Sequence, residues 1–415
     1  MMTKRPHRAV VLLGLVAAAA AAACSPELGD TPFACDAEGT CPESYTCQAT
    51  VCVADSANPL ISRPLRVTYI NRSEMFWFPS AKGGATLIVN DGFSPGELGL
   101  YEIHVGADGV AEAPIKLLDF PGVTPVSSVV VALDDQTYGV VTMRFPDELE
   151  DDVELALQAL PRDGGKPRPA PRLLHSAKYP YVGGYEPAYV GGVLRGDDVV
   201  YAFTEAGTGG AIVVTRLKKD GTDVTTQRIP LPDGVLPLSA DCLLWRAADA
   251  SLMLRVGLDV IRVFSLDIDE GTATEVPLAA GTPLFGFGGS VTYLETSEDA
   301  EQATIVLRDL EGKQIGASPP QPFTFGLEPY TGVAYGAGAL VAPLSDDVSY
   351  ATIDVGYMGP DGTFAKVASV KRQDTDELYT ARAFASEGKA YVAWTSFHEQ
   401  LMDVWVGVSP LKGVP

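Results

Sequence analysis

Beyond residue 60, apolar positions come in short runs separated by Gly, Pro and Asp. Residues 199–203 read VVYAF, 211–217 read AIVVTRL and 391–396 read YVAWTS. Runs rich in Val, Ile, Tyr, Phe and Thr, bounded by turn formers, predict β-strands. No amphipathic helix longer than two turns is predicted. Residues 147–160 are the one stretch that also admits a helix, and their ELALQAL half alternates as a strand does.

The turns recur at a regular spacing. GADGV contains Gly109, PRDGG Gly164, KKDGT Gly221, IDEGT Gly271, DLEGK Gly312 and GPDGT Gly362, at intervals of 55, 57, 50, 41 and 50 residues. Asp-Gly and Glu-Gly suit tight hairpins, because glycine takes a positive φ without steric cost. A period of about 50 residues with several strands per repeat predicts an all-β fold, a seven-bladed β-propeller spanning 60–415. Two packed β-sandwiches are the alternative. One further step of 51 residues reaches Gly413, so the last repeat ends at its third strand. The strand-like segment 65–70 is expected to supply the missing fourth strand, close the ring and remove an exposed edge. Strands are assigned at 188–193, 199–204, 211–217 and 224–229 in the third repeat. In the sixth they are assigned at 331–335, 339–344, 351–357 and 364–370.

The first 59 residues differ in kind. Lys4, Arg5 and Arg8 precede an apolar run over 9–23, the pattern of a secretory signal. The run ends Ala21-Ala22-Ala23-Cys24 and resembles a bacterial lipoprotein signal, departing from it at Ala21, where that family has Leu. The resemblance implies cleavage after residue 23, lipid on Cys24 and, with Ser25 next, placement at the outer membrane or cell surface. Residues 24–59 then form the lipidated N-terminus and a cysteine-rich module. Cys35, Cys41, Cys47 and Cys52 are too widely spaced for a usual zinc site, and two disulfides of open connectivity are expected. The module is similar to short Cys-rich modules of Gram-negative surface lipoproteins, which implies no activity. Cys242, beside Leu243, Leu244 and Trp245, is read as a buried inert thiol.

Charge narrows the partners. The formal net charge is −23, or −26 without Lys4, Arg5 and Arg8. Such a body repels phosphate backbones and excludes nucleic acid as a partner. On the assigned strands, the connections between second and third strands cover 90–97, 145–152, 204–210, 256–259, 296–302, 344–349 and 396–400. They carry fifteen Asp or Glu and no Lys or Arg. An acidic rim on one face is expected, which either keeps the protein soluble or takes Ca²⁺ or a basic protein or glycan. Oxygen-rich loops of this kind supply the ligands Ca²⁺ prefers. The nominated metal ligands are Asp147, Glu148, Asp151, Asp152, Asp346 and Asp347. Asp267-Ile268-Asp269-Glu270-Gly271 is read as a hairpin.

No catalytic residue is nominated. His104, His175 and His398 lie far apart, and no G-x-S-x-G or H-E-x-x-H motif occurs. His104 is read as a strand residue. The repeat signatures of sialidase, quinoprotein, WD40 and kelch propellers are absent. The expected protein is therefore a monomeric, lipid-anchored, non-enzymatic binding scaffold. The alternative is a polysaccharide hydrolase or lyase with paired carboxylates at the channel mouth, across aromatic residues such as Trp77, Tyr330 or Trp394.

Overall fold

The computed structural model describes residues 33–34, 40, 45–48, 51–54, 65–67, 74–92, 98–119, 125–144, 152–162, 172–178, 191–205, 211–219, 222–230, 243–246, 252–256, 262–275, 282–287, 290–296, 302–309, 311–322, 331–342, 352–371, 377–398 and 401–414. Cys24, Cys35, Cys41 and Cys242 lie outside them. The chain divides into two compact units, Met1–Asn58 and Pro59–Pro415. In the smaller unit β1 (Phe33–Ala34), β2 (Tyr45–Gln48) and β3 (Val51–Ala54) form one sheet in the order β1-β3-β2. Its register sets the backbones of Cys47 and Cys52 opposite each other.

The larger unit is all-β among the described residues, with its strands grouped in seven sheets. After β4 (Leu65–Val67), the first sheet holds β5 (Glu74–Pro79), β6 (Ala85–Gly92), β7 (Leu98–Val105) and β8 (Ile115–Asp119). The second holds β9 (Pro125–Ala132), β10 (Thr137–Arg144), β11 (Asp152–Pro161) and β12 (Arg172–Lys178). The third holds β13 (Gly191–Arg195), β14 (Asp198–Glu205), β15 (Ala211–Lys218) and β16 (Thr225–Pro230). The fourth holds β17 (Leu243–Arg246), β18 (Leu252–Val256), β19 (Arg262–Asp267) and β20 (Thr272–Glu275). The fifth holds β21 (Thr282–Phe287), β22 (Ser290–Thr296), β23 (Gln302–Asp309) and β24 (Gln314–Ala317), with β25 (Gln321–Pro322) also on β23. The sixth holds β26 (Thr331–Tyr335), β27 (Gly338–Ala342), β28 (Thr352–Met358) and β29 (Phe364–Lys371). The seventh holds β30 (Glu377–Ser386), β31 (Lys389–His398) and β32 (Leu401–Pro410), and β4 pairs on its outer edge.

Each sheet is an up-and-down antiparallel meander, and successive sheets pack face to face, the architecture of a β-propeller. The sequence shows why. Second and third strands are covered on both faces, so they read as nearly continuous apolar runs; β27 is buried at every position and β15 at most. The fourth strands lie at the margin and are polar, as in TTQRIP of β16 and TATE of β20.

Alternate residues of each inner strand face the preceding and the following sheet. Apolar clusters therefore form between consecutive sheets. Ile88, Leu100 and Val140 join the first to the second, Val131, Val141 and Val213 the second to the third, and Ala202, Ile212 and Phe264 the third to the fourth. Leu294, Ile305 and Val341 join the fifth to the sixth, and Leu340, Val355 and Trp394 the sixth to the seventh. Leu87, Val89, Tyr391 and Val406 join the seventh to the first. Each fully buried Val or Leu contributes roughly 1.5–3 kcal/mol relative to exposure.

The predicted glycine corners take the expected conformation where they are described. Gly109, Gly271, Gly312 and Gly362 lie between third and fourth strands with φ of 86°, 70°, 85° and 79°, and Gly413 has 69°. The segment read as helix or strand over 147–160 contains β11, a strand. The Asp267 segment is a hairpin: Asp267 Oδ1 accepts the N–H groups of Asp269 and Glu270, and its carbonyl accepts that of Gly271.

Candidate functional site

The meander gives the larger unit two ends. In the first six sheets the first-to-second and third-to-fourth turns share one end, and in every sheet the second-to-third connection leaves from the other. The turn end is tied across sheet junctions. Glu387 of the seventh sheet accepts the Gly84 N–H of the first at 3.2 Å. Lys389 Nζ donates to the Ala107 carbonyl, and Trp77 Nε1 donates to the Arg382 carbonyl at 3.1 Å. Arg162 of the second sheet reaches the Pro79 carbonyl of the first at 3.3 Å. Arg216 of the third reaches Asp269 of the fourth at 2.9 Å.

The residues nominated from sequence belong to the second-to-third connections. Asp147, Glu148, Asp151, Asp346 and Asp347 lie outside the described residues. Asp152 opens β11, and its side chain is not described. Among the described residues no group of three His, Cys, Asp or Glu is placed to hold a metal ion. No helix among them is long and apolar enough to cross a membrane.

Of the aromatic residues nominated for the channel mouth, Trp394 is instead a core residue, and Trp77 is half-buried against the seventh sheet. Trp77 stacks on Phe384 with centroids 6.3 Å apart and leans on Tyr391 at 6.0 Å, within the junction of the first and seventh sheets. Trp394 is fully buried and stacks on Trp405 at 6.2 Å. Inner-strand side chains point at neighbouring sheets rather than along the channel, which is the physical reason. Tyr330 lies outside the described residues.

Three polar groupings stand out among the described residues. At the first junction Tyr138 donates its hydroxyl to Glu102 Oε1 at 2.9 Å, and both residues are buried. The Arg162 guanidinium covers the Tyr138 ring at 4.7 Å. Burial first, and then the Glu102 carboxylate, push the Tyr138 phenol well above its ordinary range. On the third sheet the β14–β15 register sets Asp198 opposite Lys218. Asp198 accepts from Lys218 at 2.6 Å and from Arg216 Nε at 2.7 Å. The Lys218 hydrogen bond, then that of Arg216, hold the Asp198 carboxyl below the usual range against its burial. On the first sheet Ser80 Oγ lies 2.9 Å from His104 Nδ1, and His104 Nε2 lies 4.0 Å from Glu112 Oε1. His104 is a strand residue, as its alternation suggests, and its ring joins Ser80 and Glu112, neither of which sequence reasoning nominated. No local signal exposes the group, because the β6–β7 register, Thr86 opposite His104, is what carries the imidazole back to the Ser80 turn.

No protein-family model matches the chain, and no curated protein matches it. Solved structures do align with it. A puromycin hydrolase aligns at 19% identity over 80% of this chain and 52% of its own, with a TM-score of 0.45. The Trypanosoma rangeli sialidase in complex with sialic acid aligns at 10% over 85% and 60%, TM-score 0.40. The GH43_1 enzyme from Xanthomonas citri complexed with xylotriose aligns at 10% over 69% and 90%, TM-score 0.36. The chain spans about half the length of the puromycin hydrolase.

The three are named as a puromycin hydrolase, a sialidase and a GH43_1 enzyme, and against them the expectation of a non-enzymatic scaffold does not stand. That expectation leaned on the lack of a compact catalytic motif. A propeller assembles its site from loops of separate sheets, so its catalytic groups are dispersed in sequence and need form no motif. No residue role is carried across from these proteins.

Proposed function

We propose that the protein is a propeller hydrolase or lyase acting on a glycan polymer, with its carboxylates on the end of the ring from which the second-to-third connections leave. The observation that carries this reading is the shared polarity of the sheets. The ties across the turn end hold neighbouring sheets in one polarity, and the sequence assigns fifteen acidic residues and no Lys or Arg to the connections that leave from the other end. Paired carboxylates are the groups that glycosidic cleavage requires: one acid protonates the leaving oxygen, and the second activates water or attacks the sugar. We take Asp147 or Glu148 from the connection after β10 and Asp346 or Asp347 from the connection after β27 as that pair.

The same reading takes the ring as seven-bladed and closed by the N-terminal strand. Leu65, Arg66 and Val67 of β4 stand opposite Val404, Asp403 and Met402 of β32. The inner strands contact one another in chain order, and β30 returns to β5.

Reducing-end release from a panel of neutral and amino-sugar polymers tests the activity. Asp147→Asn or Asp346→Asn is expected to lower turnover by at least about 100-fold, as loss of a general acid or base does. A wild-type chain that cleaves no polymer in the panel would remove this reading.

A further inference from the structure

The turn end of the first sheet holds an arrangement that the glycan reading does not use. Ser80 follows β5 in the turn to β6. Its Oγ accepts the Lys82 main-chain N–H at 3.2 Å and lies 2.9 Å from His104 Nδ1. A hydroxyl offers one proton and two lone pairs. The tautomer with its proton on Nε2 leaves Nδ1 free to accept the Ser80 proton, and this is the tautomer the proposal uses.

Nε2 faces Glu112 Oε1 at 4.0 Å. Glu112 is fixed beside His104 by its own N–H, which donates to the His104 carbonyl at 2.8 Å, and by the Val105–Ala111 bridge. The His104 side chain is 13% exposed and that of Glu112 is 52% exposed. Ser80 is partly exposed.

We propose that Ser80 is a nucleophile for acyl transfer, with His104 as its general base and Glu112 as a positioning residue. Hydroxyl, imidazole and carboxylate stand in the order that this chemistry uses. The two ring nitrogens are exchanged relative to the common arrangement, and the roles are unaffected, because either nitrogen accepts a proton while the other donates. The Ser80 oxygen bonds to the carbonyl carbon of an ester as its proton passes to Nδ1. The tetrahedral species collapses, the ester C–O bond breaks, and the departing alcohol takes the proton from Nδ1. Water then repeats the sequence on the acyl-serine, releasing the acid and restoring Ser80. A net charge of −23 disfavours anionic substrates, so the class is small neutral or cationic esters.

The test uses the full chain with a fluorophosphonate probe, read by intact mass and peptide mapping, and with p-nitrophenyl acetate. Wild type is expected to gain one adduct, on Ser80, and Ser80→Ala none. His104→Gln should slow labelling by about 100-fold. Glu112→Gln should lower kcat for the ester by about 10-fold with KM and the melting curve unchanged, with Glu112→Asp recovering part of it. Ser80→Cys, which keeps a nucleophile, serves if Ser80→Ala fails to fold, and it should still release nitrophenol. No adduct on Ser80 in wild type, or wild-type labelling in His104→Gln, would overturn the proposal. An unchanged kcat in Glu112→Gln would overturn the role of Glu112. The glycan reading is read by reducing-end release and this one by the adduct on Ser80, so failure here is distinct from failure of the glycan reading.

Discussion

The junction between the first and second sheets and the junction between the second and third each bury one tyrosine from a second strand, aimed at the preceding sheet. Tyr138 fills the first junction and Tyr201 the second. Their rings are equally buried, at 0% and 1% exposure, yet their hydroxyls meet different fates. That of Tyr138 is donated to buried Glu102. That of Tyr201 has no hydrogen-bond partner among the described residues, and burial alone pushes its phenol up. The space around Tyr201 is made by missing side chains. A Cβ on Gly192 would lie 2.6 Å from Val129 Cγ1 and 3.0 Å from the ring, and one on Gly139 would lie 3.1 Å from the hydroxyl. One junction thus specifies its tyrosine by a polar partner, and the other by shape.

The largest expected effect tests the shape half of that contrast. Tyr201→Ala should cost about 3–5 kcal/mol in denaturant unfolding, because the cavity is walled partly by the backbone at Gly139 and Gly192, which cannot lean in to fill it. A cost below about 2 kcal/mol would mean that the second junction collapses freely and that the glycines do not define the site.

The next effect separates the two hydroxyls. Tyr138→Phe removes the donor from a buried carboxylate and should cost about 1–3 kcal/mol. Tyr201→Phe removes a group with no partner and should be neutral or stabilising by about 1 kcal/mol. Equal losses in the two variants would break the comparison.

What the sequence reveals divides along the same line. The strands and the glycine corners are local matters. A corner such as Gly312 needs a positive φ whatever surrounds it, so the repeat is written in the chain at intervals that can be counted. The partnership of Tyr138 with Glu102 joins residues 36 positions apart on different sheets, and nothing near either residue announces it. Ser80 and His104 are 24 apart and meet only through the β6–β7 register. Trp394 shows the converse. Its type suits a binding cleft, and only the packing of neighbouring sheets shows that it is core.

The smallest effect extends the comparison to the margin of the third sheet, where polar groups are paired but open to water. Asp198 is nearly buried, while the side chains of its partners Arg216 and Lys218 are 36% and 44% exposed. Solvent screens such pairs, and they contribute little each. Lys218 first, and then Arg216, hold the Asp198 carboxyl below its ordinary value of about 3.9. A depressed carboxyl stabilises the fold above that ordinary value, and the contribution is lost as pH falls through the lower folded value. Asp198→Asn should therefore melt a little below wild type at pH 7, and the gap should close below about pH 4 and narrow in 1 M salt. Tyr138→Phe should show no such narrowing in salt, because its partner is shielded from ions. If salt erased the Tyr138→Phe penalty while sparing that of Asp198→Asn, the assignment of which pair is sealed between sheets would be reversed.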